Sequence, residues 1–232
     1  MYKKRLSTQK KFVADGVFKA EVNQLLQKAL ADFGYSGLEV NFTKDYTEIR
    51  VLVSKFDDLM DPKKQSGIKM NELKGLIEQR YGLTNNPDFS LKLTAKKANH
   101  RGVNSQEQAE FMKKKLLLGV PVRTAALSVI RNMISKNATG CEIVVSGKLR
   151  QQRAKSVKFK GDYMIHTGQP RIEFLDIAVR HIFLKQGIIG VKVKIMLPYN
   201  PRAAEGKGFG IAKPLPDVIT FKEDKPKYQD EY

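Results

Sequence analysis

Lys148, Arg150, Arg153, Lys155, Lys158 and Lys160 fall within residues 146–160, a stretch with six cations and no acid. Six like charges repel one another on a folded surface unless a polyanion lies opposite, so the chemistry they suit is recognition of nucleic-acid phosphates. Arg150 and Arg153 can set guanidinium forks on phosphate oxygens, while Lys148, Lys155 and Lys158 act as point charges. An apolar run, Ile143-Val144-Val145, precedes the cluster, and Val157 and Phe159 alternate with lysines after it. That pattern predicts two strands joined by a long, positively charged connection.

Other candidate sites carry less. Asp57-Asp-Leu-Met-Asp61 has the spacing of a metal–diphosphate motif, but Pro62 follows at once and no second acidic cluster accompanies it. A solvated loop is the expected reading. His100, His166 and His181 lack metal-ligand spacing, so no metal site is expected. Gly206-Lys-Gly-Phe-Gly210 lacks the strand–helix context of a phosphate loop. No nucleophile stands beside a recognisable base, so neither an enzyme nor a cofactor is expected. Cys141 is the single cysteine, which excludes an internal disulfide, and its place at the head of an apolar strand predicts an inert thiol.

Composition agrees with a nucleic-acid partner. The 232 residues hold 42 Lys+Arg against 24 Asp+Glu, a formal charge of +18, with 41% hydrophobic residues for packed cores. Such an excess favours phosphate backbones through counterion release. An anionic membrane is the competing polyanion, but no basic amphipathic helix, lipid anchor or apolar spanning run is found, and no membrane partner is expected. The basic N-terminus has no apolar stretch behind it and does not read as a signal peptide. An intracellular, reducing setting is expected.

The elements that must position the cluster form an α+β chain. A helix is predicted over Asp15–Tyr35 from Phe18, Val22, Leu25, Leu26, Ala29 and Phe33 on one face. Strands follow at Leu38–Phe42 and Ile49–Val53, then a polar loop from Asp57 to Ser66. A second helix buries Met70, Leu73, Leu76, Ile77 and Tyr81, and a strand covers Phe89–Leu93. Ala98–Gln106 reads as an inter-domain link. Two helices come next, the second with a stripe of Val122, Ala125, Ala126, Val129, Ile130, Met133 and Ile134. Strands are predicted at 141–146, 156–165, 173–184 and 189–197. The third also fits a helix, but Gln186-Gly-Ile-Ile-Gly190 suggests a hairpin and favours strand. From Pro198 an extended tail is expected.

Several long blocks resemble one family. Gly140-Cys-Glu-Ile-Val-Val-Ser-Gly-Lys-Leu-Arg150, Gln152-Arg-Ala-Lys-Ser156, Met164-Ile-His-Thr-Gly168 and Gly187-Ile-Ile-Gly-Val-Lys-Val-Lys-Ile-Met-Leu-Pro198 are similar to the eukaryotic form of small-subunit ribosomal protein family three. So is Lys11-Phe-Val-Ala-Asp-Gly-Val-Phe-Lys-Ala-Glu21, and the likeness runs across roughly residues 8–220. The resemblance implies a basic tail at 1–14, a type II KH domain at 15–97, a two-helix/β-sheet α/β domain at 98–198 that binds RNA, and an extended tail at 199–232. It further implies a structural constituent of the cytosolic small ribosomal subunit. Its expected partners are ribosomal RNA in the head, messenger RNA at the entry channel, neighbouring head proteins and a propeller-type scaffold protein. Its place would be the cytoplasm, with passage through the nucleus during assembly.

Two departures from the family pattern bear on sites. A KH domain grips backbone with Gly-x-x-Gly, because glycines let amides approach phosphates closely. Here the place is Lys64-Gln-Ser-Gly67, with lysine for the first glycine. Lys63, Lys64 and Lys69 are then expected to meet phosphates by charge, with Gly67, the glycine that remains, as the further RNA-binding candidate of this loop. Arg123-Thr124 stands where the family shows two adjacent arginines, leaving Arg123 as the expected channel contact of that pair.

Two other function classes compete. A lyase forming a Schiff base on abasic sugar would need one desolvated lysine, which the sequence does not single out. A free-standing KH regulator of chosen transcripts would need the intact glycine loop.

Overall fold

The computed structural model describes residues 7–43, 46–60, 66–82, 90–98, 101–149, 152–205, 209–217, 219 and 221. The first half runs α1 (Thr8–Ala29), β1 (Tyr35–Phe42), β2 (Tyr46–Val53), α2 (Phe56–Met60), α3 (Ser66–Tyr81) and β3 (Ser90–Lys97). β1 pairs antiparallel with β2, and β2 pairs parallel with β3. The helices cover this sheet through Phe18, Val22, Leu26, Leu59, Met70, Leu73 and Ile77, packed on Ile49, Val51, Val53 and Leu91. Each such side chain gains about 1.5–3 kcal/mol on leaving water, which is why the apolar spacing dictates the layer.

Several boundaries differ from those read off the sequence. α1 begins at Thr8, inside the stretch expected to be a tail, because residues 8–13 are exposed and so carry no buried-face periodicity. Residues 57–60 of the expected polar loop belong to α2, anchored by the single fully buried Leu59. Leu76, expected in the core, is 53% exposed. Within the segment read as a link, a 3-10 turn at Arg101–Val103 buries Val103 in the second core.

The second half runs α4 (Ser105–Leu117), α5 (Val122–Ile134), β4 (Gly140–Gly147), β5 (Lys155–Asp162), α6 (Gly168–Phe174), β6 (Leu175–Leu184) and β7 (Gly187–Met196). The sheet is antiparallel in the order β5-β4-β7-β6. Helices α4 and α5 cover one face, where Met112, Ala125, Ala126, Val129 and Met133 meet Cys141, Ile143, Val145, Val191, Val193 and Ile195. The predicted α5 stripe is the buried one, with Val122 and Ile134 at its margins. Segment 173–184 is strand from Leu175 onward; its first two residues end α6. Asn104 caps α4 by accepting from the amides of Gln106 and Glu107, and Asp176 on β6 accepts from the Ser105 amide at 2.9 Å.

Polar contacts join the halves. Ser54 donates to Glu107 at 2.6 Å, and Lys114 pairs with Asp32 at 3.1 Å. The Lys114 ammonium, as hydrogen-bond donor and then as charge, holds the Asp32 carboxyl below its ordinary range.

Residues after Pro198 are not simply extended. A 3-10 turn spans Pro201–Glu205, and Ile211 is bound on both sides, donating to Pro198 and accepting from Asn200 at 2.9 Å each. Lys213 pairs with Glu173 at 2.7 Å, and Tyr163 donates to Asp217 at 2.6 Å. At least to Asp217 the chain is tied back to the second half.

Gly161 on β5 shows how close the sheet lies to α5. A Cβ there would stand 2.7 Å from Ile130 Cγ2 and 3.2 Å from both Ile134 Cδ1 and Cys141 Sγ. Gly161→Val is expected to lower the unfolding free energy by about 1–3 kcal/mol through overpacking. A urea melt reads this directly, and an unshifted midpoint would mean that β5 does not press on α5.

Candidate nucleic-acid interface

The cationic cluster is a β-hairpin. Gly147 pairs with Lys155, Val145 with Val157, Val144 with Lys158, and Ile143 with Phe159. Strict alternation sends Ile143, Val145, Val157 and Phe159 toward the helices and leaves Lys158 and Lys160 on the open face. Gly147 ends β4 at φ 141°, where an added Cβ would meet the Ile188 carbonyl oxygen at 3.0 Å. Only glycine takes that geometry without strain, and it lets the connection leave the sheet. Lys148, Arg153, Lys155 and Lys158 are all exposed. Arg150 lies outside the described residues.

These cations differ from others in the second half by what they lack. Among the described residues, no acid pairs with Arg123, Lys148, Arg153, Lys155 or Lys158. By contrast Arg180 and Lys113 both hold Glu110, at 3.2 and 2.8 Å, and Lys194 holds Glu142 at 2.7 Å. Unpaired, exposed and clustered cations can release counterions to a phosphate backbone without first breaking an ion pair.

Arg123 sits in the first turn of α5, behind Pro121. The fold brings it to the same groove as Lys155, because the α4–α5 turn faces the base of the hairpin. Those two expected contacts therefore meet in space. Lys69 does not line this groove: its ammonium lies 5.2 Å from the centre of the Phe33 ring in the first half. Lys63 and Lys64 lie outside the described residues; Gly67 is in the first turn of α3.

The register adds cations that sequence reasoning left unassigned. Val144 pairs with Lys158 on one side and Lys192 on the other, and Glu142 pairs with Lys160 and Lys194. Lys158, Lys160, Lys192 and Lys194 thus share the sheet face opposite the helices. Alternation along Val191–Leu197 was the signal for Lys192 and Lys194, but only strand order shows that they flank the hairpin. Glu142 lies among them with its side chain 3% exposed, and His166 Nε2 is 4.0 Å away. Burial pushes its carboxyl up, yet the Lys194 hydrogen bond and charge, helped by His166 and Lys158, outweigh that and hold it below the ordinary 4.5. Cys141, next to it on the other face, is a free buried thiol pushed up to about 11, mainly by burial, and is unreactive as expected.

Residues 112–195 match the family model described as ribosomal protein S3, C-terminal domain. This stretch is similar to that domain. It spans α5 and the cationic hairpin, so Arg123 and the hairpin cations lie on matched sequence, whereas Lys63, Lys64, Gly67 and Lys69 do not. Among the described residues, no helix is long and apolar enough to cross a membrane.

Proposed function

We propose that this chain is a structural constituent of the small ribosomal subunit of a eukaryote, binding ribosomal RNA in the head and lining the messenger-RNA entry channel. The observation that carries the reading is the unpaired cationic hairpin, with Arg123 lining the same groove as Lys155, on sequence matching the S3 C-terminal domain. Arg123, Lys148, Arg150, Arg153, Lys155 and Lys158 hold phosphates of the incoming strand. They act as backbone contacts, so little base preference is expected.

The first half reads as a type II KH domain. Its order α1-β1-β2-α2-α3-β3, with β1–β2 antiparallel and β2–β3 parallel, supports this. Lys63, Lys64 and Lys69 contact ribosomal RNA by charge, with Gly67 in the same loop motif, and residues beyond 198 reach neighbouring head proteins and the propeller-type scaffold. The protein works in the cytoplasm on the ribosome, after passage through the nucleus during assembly.

Sedimentation of cell extract tests the assignment. The chain is expected to travel with small subunits and polysomes through a sucrose gradient and to stay with them at moderate salt. Recovery only in soluble fractions would overturn it.

A further inference from the structure

Between the α4–α5 turn, the base of the β4–β5 hairpin and the β6–β7 turn lies an open groove of about 900 Å³. Its floor is aliphatic: Leu117, Leu127, Leu184 and Val157, with Phe159 as the one aromatic ring. Leu117 and Leu127 are 53% and 39% exposed, so apolar surface faces solvent there. Arg123, Lys155 and Lys185 supply its charges, and among the described residues no carboxylate lines it. Arg123 stands in the first turn of the thirteen-residue α5, whose amino end adds positive potential.

We propose that this groove docks an acidic amphipathic helix of a protein partner. A volume near 900 Å³ exceeds what one nucleobase fills and suits several aliphatic side chains of two helical turns. Nucleobases are held by stacking faces and by donors and acceptors at their edges. The groove offers one ring, and its Gln186 amide already donates to the Lys148 carbonyl at 2.7 Å. Leucine-type side chains on the floor and glutamates against Arg123, Lys155 and Lys185 satisfy both halves of the surface. Because Arg123 and Lys155 also belong to the proposed RNA surface, a docked acidic helix competes there with phosphate. Lys185 and Leu127 belong to the groove alone.

The test measures fluorescence anisotropy on the full chain with two labelled probes. One is a peptide of about fourteen residues, with leucines spaced i, i+3, i+4, i+7 and glutamates between; the other is a twelve-nucleotide oligouridine. Saturable peptide binding is expected, weakened about tenfold or more by Leu127→Asp and severalfold by Lys185→Glu. The Tm of each variant is expected to be unchanged, as is the oligouridine affinity of the uncharged Leu127→Asn, which trims the apolar floor without setting a carboxylate one turn from Arg123. Equal binding of a charge-matched scrambled peptide would overturn the proposal, as would full peptide affinity in Leu127→Asp. Loss of oligouridine binding in folded Leu127→Asn would show that the apolar floor of the groove takes RNA and would equally overturn it. Failure of the parent chain to bind oligouridine would count against the RNA reading alone.

Discussion

Replacing Lys148, Arg153, Lys155 and Lys158 together by alanine is expected to lower affinity for single-stranded RNA on the order of a hundredfold at 0.15 M salt. Each phosphate contact with a single strand contributes about 0.7 to the slope of log affinity against log salt, so four lost contacts flatten that slope by about 3. All four side chains are exposed and unpaired by any described acid, so their removal breaks no ion pair and the fold should persist. Fluorescence anisotropy of labelled oligouridine and oligocytidine across a salt series measures both quantities. The two homopolymers should respond alike, since backbone contacts carry no sequence information. A variant that kept the parental slope would place the contacts elsewhere.

The second large effect concerns stability. Lys194→Met leaves the Glu142 carboxylate, 3% exposed, without its 2.7 Å partner. Breaking a buried pair from one side costs about 3 kcal/mol at neutral pH. In the parent chain the carboxyl is held below its ordinary 4.5, so its contribution is fully present above that value and is lost as pH falls through the depressed native one. In the variant, burial prevails and pushes the carboxyl up instead. Its deficit should therefore shrink as pH drops from 7 toward 4, when the orphaned acid takes up a proton. The double variant Glu142→Leu/Lys194→Met should recover most of the loss, because the buried charge is gone. Urea melts at several pH values decide the matter, and a deficit constant between pH 7 and 4 would mean that Glu142 is not the group responsible.

Where the sequence was legible, one-sided burial made it so. The α5 stripe and the alternation of Val191, Val193 and Ile195 could be read because every repeat meets the core. The hairpin could be read because charge density needs no tertiary information. α2 was hidden, since five residues with one buried leucine have no period to detect. The early start of α1 was hidden for the opposite reason: its first residues meet no core, so the helix there leaves no apolar pattern. The return of residues 198–217 depends on backbone hydrogen bonds and on the pairs Lys213–Glu173 and Tyr163–Asp217, which no local pattern announces. Within the candidate interface, the residue types were visible but their company was not. That Arg123 shares a groove with Lys155, and that Lys192 lies across Val144 from Lys158, follows from strand order and helix placement.

The proposed role stands or falls on what covers the hairpin in the assembled particle. Lysine acetylation footprinting, read by mass spectrometry, compares the free chain with small subunits carrying message that extends into the entry channel. Lys148, Lys155 and Lys158 should be strongly protected in the programmed subunit and reactive in the free chain, and photoreactive nucleotides in the incoming message should cross-link to residues 146–160. Full reactivity of those lysines in programmed subunits, with cross-links falling only on other proteins, would contradict the account.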